Sequence, residues 1–274
     1  MDKALHPPYK SFADMRAHVG LTPKEVYVAI DLAVASLLVV DPHIEERNTL
    51  LAQVGAQLTH NNTEDRLDLV VYSRGASALR MLSQTSHVTA SVTTAGHLAG
   101  HIESMYRECQ RRTRLVRIPI SRRVLIADEL DFATLSRGSF KPEISVHTQL
   151  KFILERGPAL GVHVIGGVGS PQSWLAHYNE APVFKFLVHM PAEQIRKIAP
   201  SLPLLPDLGE FMGVLPHPSG HGWLVCQMPF MSVMDMTSIL RRIPAKSSAK
   251  DPDANNEQTV EPDMIHSADD QPVI

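Results

Sequence analysis

The chain has 274 residues, room for one large α/β domain or two small ones, and its 44% hydrophobic content predicts a sizeable buried core. With 26 basic against 29 acidic side chains, its charge neither demands nor excludes nucleic acid, and two cysteines, Cys109 and Cys226, exclude a disulfide framework or a cysteine zinc cluster. No apolar run approaches the ~20 residues of a membrane span, and residues 1–20 lack a signal-type segment, so the expected location is the cytoplasm.

Taken in order, residues 1–20 are mixed and polar, with a short helix expected near Phe12–His18. A turn at Leu21–Lys24 leads to a strand over Val26–Leu32, and Ala35–Val40 is a compact apolar strand ended by Asp41-Pro42. Leu51, Val54 and Leu58 give Asn48–Leu58 helical spacing, broken by Asn61-Asn62, and Leu67–Tyr72 is again a strand. Thr94–Arg112 has the clearest amphipathic pattern, with Leu98, Ile102, Met105, Tyr106 and Cys109 on one stripe. Val124–Ala127 is a buried strand, Ser145–Glu155 a helix expected to stop at Gly157-Pro158, and Val162–Ile165 a strand. Val183–Val188 (strand), Ala192–Ile198 (helix), a proline-rich turn over 200–206, Trp223–Gln227 (strand) and Met234–Ile243 (helix) complete the series. Strands alternating with helices predict a largely parallel sheet covered on both faces. From Lys246 onward two lysines face seven acids with no aromatic residue, the composition of an acidic disordered tail.

The strand Val124-Leu125-Ile126-Ala127 runs straight into Asp128-Glu129. Two carboxylates at the tip of a buried strand are costly unless something outside the sheet uses them. Together with Ala29-Ile30-Asp31-Leu32-Ala33, Ser36-Leu37-Leu38-Val39-Val40 and Gly161-Val162-His163-Val164-Ile165, they make an ordered series. That series resembles the motor domain of the FtsK/SpoIIIE family of DNA translocases. Leu204-Leu205 with Gly209-Glu210-Phe211, and the segment from Gly222 to Ile243, match the family's later elements, so the resemblance spans residues 20–244. It implies a RecA-like, three-layer P-loop NTPase fold with a mainly parallel central sheet over residues 21–244, after an extension at 1–20 and before the tail at 245–274. It also implies a ring-forming motor subunit acting on double-stranded DNA, with Asp128 and Glu129 as its catalytic, Walker B-like acids.

The departures from the family are as informative. Its phosphate loop falls on Asp41–Asn48, where a P-loop needs G-x-x-x-x-G-K-S/T so that backbone N–H groups, a Lys and a hydroxyl hold phosphate and Mg²⁺. Here Asp41 and Glu46 stand at the glycine places, Arg47 at the Lys place and Asn48 at the hydroxyl place, with Thr49 one step late. Asp41, Glu45 and Glu46 bring negative charge to the phosphates; a like-charge pair ~4 Å apart repels by ~4 kcal/mol at an effective dielectric near 20. The family's T-Q-R-P sensor falls on Val168-Gly169-Ser170-Pro171, and its trans-acting arginine falls on Pro158, with Arg156 nearby as a substitute. The expectation is a degenerate, hydrolysis-deficient subunit that assembles with itself or with an active FtsK-like motor in DNA transfer, or that regulates such a motor. The alternatives are a nonenzymatic docking module, like the degenerate motor domains of type VII secretion ATPases, and a divergent ATPase using Arg47, Asn48, Thr49, Asp128 and Glu129. ATP and Mg²⁺ are cofactors only under the last of these.

Arg111, Arg112, Arg114, Arg117, Arg122 and Arg123 form a basic run able to meet phosphates or an acidic partner, or to act as a solvated helix end; Arg111, Arg112 and Arg114 are its candidate contacts. His97 and His101 have metal-ligand spacing without a third ligand, which favours a solvated helix face. Gly166-Gly167-Val168-Gly169-Ser170 has the composition of an anion loop without its Lys, Cys109 reads as a core thiol, and the Met228–Met236 cluster as adaptable core or partner surface. If the old phosphate site is refilled from within, Arg47 is expected to pair with Asp128 or Glu129.

Overall fold

The computed structural model describes residues 14–242 apart from 76–77, 132–134, 137–143, 171, 173–177, 179, 201, 203–207, 209–211, 217–221 and 229–232. The expected acidic tail therefore lies outside the described residues. In chain order the elements are β1 (Arg16–Leu21), β2 (Tyr27–Asp31), β3 (Leu37–Val40), α1 (Ile44–Asn61), β4 (Leu67–Tyr72), α2 (Ala78–Leu82), β5 (Val88–Val92) and α3 (Ala95–Arg112). They continue with β6 (Arg122–Ala127), α4 (Val146–Leu160), β7 (Val162–Val168), β8 (Phe184–Val188), α5 (Ala192–Ile198), β9 (Met212–Pro216), β10 (Trp223–Gln227) and α6 (Val233–Leu240).

The ten strands form one sheet in the order β2-β1-β10-β9-β8-β3-β7-β6-β4-β5. From β8 to β5 every pairing is parallel; β9, β10, β1 and β2 extend the sheet antiparallel. β3 is central and buried along its whole length, with β7 and β8 on its flanks. Its side chains alternate between two apolar cores. Leu38 and Val40 join α3, α4 and α5 on one face, whereas Leu37 and Val39 join α1, α2 and β1 on the other. This is the expected three-layer α/β arrangement with a sheet that is parallel in its middle.

Helix ends follow local chemistry. Thr94 Oγ1 accepts the His97 N–H at the start of α3, and Ser145 Oγ accepts the Thr148 N–H at the start of α4. α4 does not stop at Gly157-Pro158 as expected but runs to Leu160. Its terminator is Gly161, in the left-handed conformation at φ 75°, whose N–H returns to the carbonyls of Gly157 and Pro158. A Cβ at residue 157 would meet the Val162 carbonyl at 2.4 Å, so the glycine there serves the close return of β7 beneath the helix.

Three other expectations need correction. The helix expected near Phe12–His18 is not present over its described part: Arg16–His18 belong to β1, whose Ala17 and Val19 are core residues between β2 and β10. Gly166, Gly167 and Val168 are not a loop but the buried end of β7. And Arg112 is not a free cation of the basic run. It is 5% exposed, bonded to Glu108 at 2.6 Å, and its Nη1 donates to the carbonyls of Ser121, Leu160 and Gly161. One guanidinium thus ties the end of α3 to the entry of β6 and the exit of α4. The Arg111 guanidinium, then that of Arg112, holds the Glu108 carboxyl down to about 2.

Arg112→Ala takes one of two guanidinium partners from Glu108 and removes a donor from three carbonyls at a buried junction, so it should destabilise the fold by about 3 kcal/mol in urea melts, while Arg111→Ala at the solvent edge leaves the midpoint unchanged. His163 gives a second test. It is fully buried in β7, and burial, with Arg122 and Arg112 adding to it, pushes its pKa down to about 3. Above the unfolded value of ~6.5 both states are neutral and stability is full; as pH falls from there toward 3, only the unfolded chain takes up the proton. Between pH 7.5 and 5 the wild-type chain should therefore lose about 2 kcal/mol more than His163→Leu, measured as the difference between their urea stabilities.

Candidate functional site

Because β4, β6, β7, β3 and β8 are parallel, their carboxyl ends open on one edge of the sheet, the edge where open α/β sheets hold ligands. Asp41 leaves β3 there, Ser73 and Arg74 leave β4, Asp128 and Glu129 leave β6, Gly169 leaves β7 and His189 leaves β8. β7 separates the strand that feeds α1 from the strand that carries the two acids. Arg47, on the first turns of α1, spans that gap.

Arg47 is 2% exposed. Its Nη1 donates to the Asp41 carbonyl at 2.6 Å and its Nε to the Asp128 carbonyl at 2.9 Å. The side chain passes directly over β7: a Cβ at Gly167 would lie 2.4 Å from Arg47 Nε and from the Asp128 carbonyl, and one at Gly169 would lie 3.3 Å from Arg47 Nη1. Burial pulls the guanidinium pKa down, and the charges of Asp131, Asp41, Asp128 and Glu129 oppose that pull. The expected pairing of Arg47 is thus corrected in detail. It does reach the Asp128 residue, but through the backbone carbonyl and not through either carboxylate.

The two acids have another partner. Asp128 Oδ2 accepts the Arg74 N–H at 2.8 Å, and Glu129 Oε2 meets Arg74 Nη1 at 2.7 Å. Asp128 is fully buried, burial raises its carboxyl pKa, and its Oδ1 has no hydrogen-bond partner among the described residues. Asn48 is buried too, with its Oδ1 unpartnered among the described residues, while the Thr49 hydroxyl is used inside α1, donating to the Glu45 carbonyl. Neither a lysine ammonium nor a free hydroxyl stands on the first turns of α1.

At the start of α1 the charge is negative. Asp41 is 0% exposed, burial raises its carboxyl pKa, and the His43 N–H (2.8 Å to Oδ1) and His189 work against the rise. His189 Nδ1 lies 3.3 Å from Asp41 Oδ2 and 2.9 Å from Glu46 Oε2. His43 Nδ1 lies 3.5 Å from Asp41 Oδ1 and 3.8 Å from Glu46 Oε2, and the two imidazoles meet edge to face with centroids 4.9 Å apart. Sequence reading missed Arg74, His43 and His189 as site residues. Ser73-Arg74 at the end of a parallel strand was a usable signal; His189, at the end of a distant strand, carried none.

Away from this edge, Arg111 pairs with Glu108 at 2.7 Å at the exposed end of α3, and Arg114 and Arg156 are exposed. His97 and His101 stay on the outer part of α3, and burial lowers the His101 pKa. No helix among the described residues is long and apolar enough to cross a membrane.

No protein-family model matches the chain, and no curated protein matches it. Solved structures do. The cytoplasmic domain of the type VII secretion ATPase EccC of Thermomonospora curvata superposes with a TM-score of 0.62 at 16% identity, over 89% of this chain and 33% of that one. ATPases 2 and 3 of the same EccC, in complex with a signal sequence peptide, give 0.61 at 12% identity over 80% and 41%. The pCW3 conjugation coupling protein TcpA, in monomer form with ATPγS, gives 0.61 at 12% identity over 84% and 70%. The chain spans less than half the length of the EccC chains. With the carboxyl edge of its parallel strands arranged around Asp41, Arg47 and Asp128, this chain has the fold of an FtsK/SpoIIIE-type ATPase motor domain.

Proposed function

We propose that this chain is an FtsK/SpoIIIE-like motor subunit that does not hydrolyse ATP and that works within, or regulates, an assembly containing active motors. The observation that carries the reading is the Arg47 guanidinium, held between the Asp41 and Asp128 carbonyls at the position that the family resemblance gives to the phosphate-loop Lys. A P-loop offers phosphate a rim of N–H donors and a Lys. This site offers a cation already bonded to protein carbonyls, bordered by Asp41 and Glu46. Glu129, the second of the two Walker B-like acids, is paired with Arg74 at 2.7 Å. The structural neighbours act in conjugation and in type VII secretion; DNA transfer is the branch the basic end of α3 favours, through Arg111 and Arg114.

The docking alternative also has an observation in its favour. Leu115, Val116 and Ile120 are exposed apolar residues between α3 and β6, and the EccC ATPases 2 and 3 are seen with a signal sequence peptide.

Calorimetric titration with millimolar Mg-ATP should give no saturable heat, and phosphate release should not exceed the blank. Tight binding with turnover that disappears in Asp128→Asn would overturn the reading in favour of a divergent ATPase. For DNA, Arg111→Ala/Arg114→Ala should weaken duplex binding and reduce the log–log salt slope by about 2. Duplex binding that is absent, or unchanged in that variant, removes DNA and leaves the docking module as the function of the fold.

A further inference from the structure

The geometry points to a transition-metal site of the zinc class, built from Asp41, His43, Glu46 and His189 at the N-terminal end of α1. Each residue offers one ligand atom, and the four atoms lie within 4.8 Å of one another. Among the described residues, no other group of three or more His, Cys, Asp or Glu gathers in this way.

The ligand atoms are gathered closely enough for one four-coordinate ion to reach them all. Zinc bonds of ~2.0–2.1 Å to nitrogen and oxygen place neighbouring ligands ~3.3–3.5 Å apart. The imidazole–carboxylate separations here are 2.9, 3.3, 3.5 and 3.8 Å. They scatter around that edge length, with Asp41 facing His43 through Oδ1 and His189 through Oδ2, so an ion would draw one of those oxygens and the outlying ligand atoms inward by small side-chain shifts. Two imidazoles and two carboxylates also match the metal in kind. The mixed N₂O₂ set suits zinc, cobalt or nickel, whereas magnesium and calcium favour oxygen and keep water. Two carboxylates and two neutral imidazoles carry the charge that a divalent cation cancels.

The surroundings meet the other requirements. Asp41 is wholly buried, and its position is fixed by the His43 N–H to Oδ1 and by Arg47 on its carbonyl. Glu46 Oε2 is shielded from solvent and accepts no hydrogen bond among the described residues, although His189 Nδ1 is 2.9 Å away. A metal ion would give this shielded oxygen a ligand role beside the two imidazoles. Entry comes from the solvent side through His43, whose side chain is 60% exposed. His189 sits at φ 49°, in the left-handed region that a non-glycine residue rarely adopts, and this turns its ring back from the end of β8 toward α1. With four protein ligands the site is closed, so its role is structural: it staples the start of α1 to the end of β8. A P-loop ties the same helix to its sheet through bound phosphate; here a metal would do so. The inference is independent of whether nucleotide binds, because it is read without nucleotide.

The test uses the full, tag-free chain, stripped with chelator and titrated with Co²⁺ and then Zn²⁺. One equivalent of Co²⁺ should bind with the intense visible bands of a tetrahedral ion, Zn²⁺ should displace it, and Zn²⁺ should raise the thermal midpoint. Asp41→Asn/His189→Ala should lower Zn²⁺ affinity at least about a hundredfold. Because Asp41 is in the core, the more accessible pair His43→Ala/Glu46→Gln is measured as well and should lose about tenfold or more with its circular dichroism unchanged. His97→Ala/His101→Ala should bind like the wild type. No stoichiometric binding would leave the four groups as a simple imidazole–carboxylate cluster and overturn the proposal. So would affinity that survives in both site variants, or affinity lost in His97→Ala/His101→Ala.

Discussion

The Arg47 guanidinium is the interaction on which the carboxyl edge of the sheet depends. It joins the exit of β3 to the exit of β6 across an intervening strand, through two backbone carbonyls. Burying a guanidinium is expensive unless its donors are bonded and its charge is offset. Here the donors meet the carbonyls of Asp41 and Asp128, and Asp131, Asp41, Asp128 and Glu129 supply the negative field. Without that cation, although Arg74 would still hold Glu129, the wholly buried Asp41 and Asp128 would lose an offsetting charge. They are therefore tolerated because of Arg47, and Arg47 is tolerated because of them.

That mutual dependence reaches into the backbone. Gly167 has no side chain because Arg47 and the Asp128 carbonyl occupy the space where a Cβ would be. A glycine-rich stretch that reads in sequence as an anion loop is thus a strand end pared back to let a cation cross. The same composition serves both purposes, and only the neighbour decides which.

Much of the fold was legible because its elements bury continuous apolar patterns. β4, α5 and β10 fall where periodicity put them, and β3, β6, β7, β8 and α3 within a few residues. α2, β5 and β9 went unread although β8 and β10 are equally short; β5 is an edge strand whose Thr89 and Ser91 are exposed, so it lacks the continuous apolar run that marks β3 or β6. Residues 14–18 were misread because β1 is recognised only through partners at β2 and β10. In the site, Asp128-Glu129 and the altered segment 41–48 were visible through element order. Arg112 could have been read better. It extends the buried stripe Leu98, Ile102, Met105, Cys109 by one more step, whereas Arg111 does not. His189 could not be found, because 148 positions separate it from Asp41 and only the sheet brings them together.

The helix dipole explains why a first turn carrying two acids suits this end of α1. Its exposed N–H groups favour negative charge, which is why such termini hold phosphate. Glu45 and Glu46 satisfy that preference from within the first turn. The helix therefore does not need a phosphate to be stable, and a ligand phosphate placed there would meet carboxylates. His189 and His43 complete the exchange, since imidazole nitrogens can face those carboxylates either as protonated partners or as fellow ligands of a cation. The electrostatic demand of the helix end is unchanged from a phosphate-binding one; what differs is that the chain supplies the anion, and what remains open to a ligand is a place for positive charge.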